Sequence, residues 1–230
     1  MREQAGRRVP LLNPPRVTGS RLTLPNVITI TRIVVCPVIF ALAVAPGMGA
    51  RFWAFALFVA AGLSDVWDGY LARRYGLITD VGKLLDPIAD KLLLVATLVP
   101  FYIISHRGSE LDVIPWWGPM PMWVMVVIFG RELFITLFRS YAARRGVVIA
   151  AGRSGKHKAL LQALFIGGLL LWYPVLAMAE AGAWSGLLWT GISEFIRAWV
   201  GVTLALAIVL TIYSMFDYLW SYRSLVGIRD

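Results

Sequence analysis

The sequence predicts an all-α polytopic membrane protein with six transmembrane helices and both termini in the cytoplasm, and three observations carry that expectation. Of 230 residues, 59% are hydrophobic and only 15% charged, and mean hydropathy is +0.72, far from the usage of water-soluble domains. Six largely apolar stretches approach the ~20 residues needed to cross ~30 Å of hydrocarbon. The charge is basic, with 22 Lys and Arg against 13 Asp and Glu and a net charge of +9. Of these cations only Arg51, Arg107 and Arg197 fall on one set of loops, so the positive-inside rule assigns the other set, and both chain ends, to the cytoplasm.

Residues 1–24 read as a basic arm, with Arg2, Arg7, Arg8, Arg16 and Arg21 against Glu3. They lack a short apolar core ending in a small-residue cleavage site, which favours an arm lying on anionic lipid headgroups over a secretory signal. Residues 25–230 form one transmembrane domain. Its spans are expected at 25–46, 52–72, 84–105, 120–142, 159–179 and 198–220. The last two are the cleanest, since 159–179 and 198–216 carry no charge. Pro87 suits the first turn of the third span, where a missing N–H removes no needed bond. The apolar stretch 181–193 is too short to cross and reads as an interfacial segment with Trp184 and Trp189 as belt anchors. A single cysteine, Cys36, excludes an internal disulfide framework. Two histidines, His106 and His157, are too few for a histidine metal cage. The basic residues line a membrane face, which disfavours nucleic acid as a partner.

The acidic residues are not scattered. Asp65, Asp68, Asp80, Asp86 and Asp90 lie at the end of the second span and the start of the third. A charge deep in a span costs about 2.5–3.5 kcal/mol on insertion scales, so a cluster marks a functional candidate. Asp65 and Asp68 are three residues apart and share one helix face; Asp86 and Asp90 are four apart and share another. Antiparallel neighbouring spans turn the two pairs toward each other near the cytoplasmic surface. Four carboxylates without a thiolate or imidazole make an oxygen-donor site for hard divalent cations such as Mg²⁺, Mn²⁺ or Ca²⁺. A pair of such ions would clamp a phosphoryl centre. Beside the acids, Gly69 and Ala72 leave a slot for a flat group, and Arg73 offers a guanidinium suited to phosphate.

Asp65, Asp68, Gly69, Ala72, Arg73, Gly82, Asp86 and Asp90 spell DxxDGxxARx8GxxxDxxxD, which resembles the signature of the CDP-alcohol phosphatidyltransferases at every fixed position. The resemblance implies a fold of this kind and a reaction in which a cytidine diphosphate lipid, CDP-diacylglycerol, passes its phosphatidyl group to an alcohol and releases CMP. It implies that Asp65, Asp68, Asp86 and Asp90 hold two divalent ions, Mg²⁺ first and Mn²⁺ as an alternative, with Asp90 also acting as base toward the acceptor hydroxyl. Gly69, Ala72, Arg73 and Thr79 would contact the cytidine diphosphate group. The PNVITITR segment at 25–32 resembles the family's opening segment, in which Asn26 and Thr29 would contact the diphosphate; their other role is at a helix start. A homodimer follows from the same resemblance. With the cytoplasmic face assigned by the Lys and Arg count, a bacterial cytoplasmic membrane with the active site facing the cytoplasm is the simplest location, and an organelle inner membrane is the alternative.

The acceptor is expected from the fourth span and the loop after it. GRELFITLFR at 130–139 and GRSGKHK at 152–158 resemble the phosphatidylglycerophosphate synthases, whose acceptor is glycerol 3-phosphate, although Ala159 stands where that group often has threonine. Arg131, Arg139, Arg153, Lys156 and Lys158 would form a cationic pocket for the acceptor phosphate. The same basic residues suit inositol phosphate, and they also serve the positive-inside rule. GRSGK is not a P-loop, because no strand precedes it and GxxxxGK[ST] is unmet. A divalent-cation transporter is the alternative of another class; its site would be expected near the midplane on broken helices.

Overall fold

The computed structural model describes residues 23–77, 79–145 and 153–221. Six helices run in chain order: α1 (Leu24–Val44), α2 (Met48–Arg74), α3 (Asp80–Ser105), α4 (Met122–Arg144), α5 (Arg153–Ala181) and α6 (Leu187–Ser221). A 3-10 turn at Glu110–Asp112 lies between α3 and α4. No strand occurs among the described residues, and the all-α expectation holds. Five of the helices are long and apolar enough to cross a membrane. The other is α4, which carries Arg131, Glu132 and Arg139 along its length. The proposed N-terminal arm, apart from its last two residues, lies outside the described residues.

Polar contacts fix the direction of each helix. The start of α1 meets the start of α3 through Asn26 and Thr79, and meets the end of α2 through Arg32 and Asp68. The middle of α4 meets the start of α5 through Glu132 and Lys158, and its second half meets the end of α6 through Phe138 and Tyr218. The helices therefore alternate, and the start of α1 and the end of α6 share one end of the bundle. α1 packs on α2 and α3, α5 on α6 and α2, and α4 on α6, whereas α3 and α4 touch sparingly.

The two halves of the bundle differ in content. Away from the aspartates the interior is apolar: Ile39, Leu98, Phe101, Ile104, Val124, Phe165, Leu169 and Leu204 are buried. Phe101 sets its edge against Phe165 at 6.1 Å and Tyr173 at 6.0 Å. Outward-facing side chains such as Val34, Leu63, Val66, Leu133 and Val209 are apolar and exposed, as a surface toward lipid tails requires. The α3–α4 connection is latched at this end. Arg51 forks onto both oxygens of Asp112, Tyr173 donates to the Asp112 carbonyl at 3.1 Å, and Arg107 donates to the Val44 carbonyl at 2.8 Å.

Two local expectations are corrected. The stretch 181–193 is not a separate interfacial segment, because α6 is continuous from Leu187 through 35 residues. Glu194 and Arg197 pair at 3.2 Å one turn apart, so the helix passes this polar point without a break. At ~1.5 Å per residue it is about 50 Å long, more than the hydrocarbon thickness. Pro87 does not lie in a first turn either: α3 starts at Asp80, which places Pro87 in the interior between Asp86 and Asp90. The helix begins earlier than hydropathy suggests because Thr79 caps it, accepting a hydrogen bond from the Gly82 N–H at 3.0 Å.

Candidate active site

The α2–α3 connection brings the signature residues together. α2 ends in a left-handed cap: Gly76 has φ 65°, the Leu77 N–H bonds back to the Ala72 carbonyl at 3.0 Å and the Tyr75 N–H to the Leu71 carbonyl at 3.0 Å. Glycine is favoured there because it carries no Cβ into that conformation. Thr79 follows and starts α3. Its hydroxyl also donates to Asn26 Oδ1 at 3.0 Å, tying the turn to α1. The packing is tight: a Cβ on Gly82 would stand 2.8 Å from Asn26 Oδ1 and 3.1 Å from Thr79 Oγ1.

Beside this turn lies a cavity of about 190 Å³, bordered by Asn26, Thr29, Asp68, Gly69, Ala72, Thr79, Gly82, Lys83 and Asp86, among others. Asn26, Thr29, Gly69, Ala72 and Thr79, five of the six residues expected to contact the cytidine diphosphate group, thus line one space. The side chain of the sixth, Arg73, lies outside the described residues.

The four aspartates converge on α1. Arg32, with its side chain 1% exposed, contacts Asp65 and donates to Asp68 at 3.0 Å through Nη2 and to Asp90 at 3.0 Å through Nη1. The Thr29 hydroxyl lies 3.0 Å from Asp86 Oδ1, 3.4 Å from Asp68 Oδ2 and 3.1 Å from the Pro25 carbonyl. Asp68 and Asp86 border the cavity; Asp68 is buried, whereas the side chains of Asp65 and Asp90 are 45% and 62% exposed. Sequence reasoning missed Arg32. The available signal was a charged residue inside an apolar span, in register with Asn26 and Thr29 at three-residue spacing, which demands counter-charges from neighbouring helices.

The expected acceptor residues gather in part. Arg131 and Lys158 meet on one carboxylate: Arg131 Nη1 is 3.2 Å from Glu132 Oε1, and Lys158 contacts the same oxygen from α5. Gly155, within GRSGKHK, approaches Arg131 closely enough that a Cβ there would lie 3.8 Å from its Nη2. Arg139 stands farther along α4 over the Tyr218 ring at 5.9 Å. The side chains of Arg153 and Lys156 lie outside the described residues. Two further residues join this region. Lys91, next to Asp90, donates to Thr136 Oγ1 at 2.8 Å across the α3–α4 gap. Lys91 and Glu132 also border a mainly apolar cleft of about 320 Å³ between those helices.

Among the described residues, no three histidine, cysteine or acidic side chains form a ready-made metal cage; three of the carboxylates converge on the Arg32 guanidinium and the fourth, Asp86, meets the Thr29 hydroxyl. The donor chemistry still fits a hard divalent cation, because four carboxylates and a hydroxyl meet with no sulfur or imidazole among them. An integral membrane helix bundle with a carboxylate cluster beside a polar-lined cavity defines the class. The family model described as CDP-alcohol phosphatidyltransferase matches residues 22–213, and the chain belongs to that family of enzymes, which uses divalent metal. It is similar to a probable phosphatidylglycerophosphate synthase of Mycobacterium tuberculosis H37Rv, 36% identical over 212 residues, covering 90% of this chain and 85% of the relative. A CDP-diacylglycerol--glycerol-3-phosphate 3-phosphatidyltransferase of Rickettsia typhi is 33% identical over 199 residues, covering 86% and 98%. The protein of that name from Bacillus subtilis is 34% identical over 160 residues, covering 64% and 76%.

Proposed function

We propose that this enzyme transfers the phosphatidyl group of CDP-diacylglycerol to glycerol 3-phosphate, releasing CMP and forming phosphatidylglycerophosphate. The observation that carries the proposal is the single cavity lined by Asn26, Thr29, Gly69, Ala72 and Thr79, with Asp68 and Asp86 on its border. The cytidine diphosphate group occupies that cavity, with Gly69 and Ala72 leaving room for it and Arg73 pairing with its phosphates. Asp65, Asp68, Asp86 and Asp90 hold two divalent ions, Mg²⁺ or Mn²⁺, which when bound neutralise the diphosphate oxygens and the departing CMP.

Asp90 is held by Arg32 next to the aspartates that border the donor cavity, and is followed by Lys91, which reaches α4 through Thr136; there it orients the acceptor hydroxyl. The hydroxyl oxygen bonds to the phosphorus that carries the diacylglycerol, the bond from that phosphorus to the CMP oxygen breaks, and the hydroxyl proton passes to Asp90. A carboxylate next to cations is a weak base, so proton transfer accompanies bond formation instead of preceding it. Arg131, Arg139, Arg153, Lys156 and Lys158 supply the positive end for the acceptor phosphate. The site faces the cytoplasm, as the distribution of Lys and Arg supports; the membrane is a bacterial inner membrane, and the enzyme acts as a homodimer.

The test is CMP release by the detergent-purified chain with CDP-diacylglycerol and Mg²⁺, comparing glycerol 3-phosphate with inositol 1-phosphate. Release driven by glycerol 3-phosphate supports the proposal. Dependence on inositol 1-phosphate instead keeps the chemistry and overturns the acceptor.

A further inference from the structure

Resting on the cation-dependent transfer proposed above, we infer that α1 is the backing of the carboxylate site: Thr29 and Arg32 are positioning residues that fix one oxygen of each aspartate and present the other to the divalent ions. The division of contacts carries this inference. Arg32 engages Asp65 Oδ1, Asp68 Oδ2 and Asp90 Oδ1. Thr29 has one proton to give, and its shortest contact is the fourth carboxylate, Asp86 Oδ1, at 3.0 Å. One oxygen of every aspartate is thus held from α1, and the second oxygen of each stays outside this network. Both positioning side chains are buried, with Thr29 1% and Arg32 2% exposed, so they are ordered by packing before any cation arrives. The forked, planar guanidinium reaches carboxylates on two helices at once, α2 through Asp65 and Asp68 and α3 through Asp90.

Two roles for Arg32 predict different outcomes. As a mere counter-charge to four carboxylates it is replaceable by any cation of equal charge. As a positioning group it is not, because an ammonium lacks the fork. Outer-shell partners of ligating side chains are worth roughly 10–100-fold in metal affinity.

The experiment is a Mn²⁺ titration followed by electron paramagnetic resonance, on the full chain in detergent and without lipid or acceptor. Arg32→Lys, which keeps the charge, should weaken Mn²⁺ binding about 10-fold or more. Thr29→Val should weaken it several-fold at unchanged charge and near-equal volume, and Thr29→Ser should restore it. Unchanged or tighter Mn²⁺ binding in Arg32→Lys, or in Thr29→Val, overturns the inference. If Arg32→Lys does not fold, Thr29→Val and its serine rescue decide. Absence of Mn²⁺ binding by the unsubstituted chain is a different failure, since it removes the cation site itself.

Discussion

Gly82 shows how little room the site leaves. Its missing side chain lets α3 lie against Asn26 and lets the Thr79 cap form. Gly82→Ala must therefore push Asn26 aside, and we expect at least a 10-fold loss of transfer with the purified protein still folded; wild-type turnover would show that the α1–α3 seam yields freely. Asp90→Asn is expected to abolish transfer, by 100-fold or more, while CDP-diacylglycerol binding, measured by calorimetry, persists. That the two aspartate pairs face each other, and that Gly69 and Ala72 border the same cavity as two of them, was legible from spacing on adjacent spans. Arg32 was not, since its meaning depends on which faces of α1, α2 and α3 meet, and a single sequence does not specify that. The pairing of Lys158 with Glu132 was hidden for the same reason: the partners lie on different helices and only their packing joins them.

In helices α1 and α4 polar and charged side chains interrupt an otherwise apolar run. α1 turns Asn26, Thr29 and Arg32 inward at three-residue spacing. α4 carries Arg131 and Glu132 in its middle, the charge content that marks a helix lining a polar site. Arg131→Ala is expected to raise the KM for glycerol 3-phosphate about 10-fold and to leave the KM for CDP-diacylglycerol near wild type. An equal rise in both would remove Arg131 from the acceptor region. At the other end of the bundle the Arg51–Asp112 fork works on stability alone, because Arg51 lies about 20 Å along α2 from Asp65 at ~1.5 Å per residue. Asp112→Asn leaves Arg51 with a weakened, part-buried contact, a loss of about 1–3 kcal/mol. Thermal unfolding in detergent should shift down by several degrees while transfer per folded molecule holds. Hydropathy located the spans but not the helix ends: α3 starts at its Thr79 cap, and α2, α5 and α6 start at Met48, Arg153 and Leu187, ahead of the expected 52, 159 and 198.

For the whole molecule, the division between an apolar half and a polar half is the feature that joins fold to chemistry. The packed interior around Phe101, Phe165 and Leu204 closes the bundle at one end. At the other end the helices part around the cavity, the carboxylates and the sparse α3–α4 contact. Hydropathy predicted the class of fold; it is silent on which helices touch, because lipid-facing and core-facing positions are equally apolar in a membrane protein. The alternation of helices also puts the start of α1, the α2–α3 turn and the start of α5 together, so residues from three distant segments meet at one end. The central claim is that this end performs cation-dependent phosphatidyl transfer to glycerol 3-phosphate. Its most direct test is mass-spectrometric detection of the lipid product after incubating the purified enzyme with CDP-diacylglycerol and glycerol 3-phosphate, in Mg²⁺ and in excess EDTA. We predict phosphatidylglycerophosphate in Mg²⁺ and its loss in EDTA. Its absence from folded enzyme supplied with Mg²⁺ and both substrates, or its undiminished formation in EDTA, would contradict the claim.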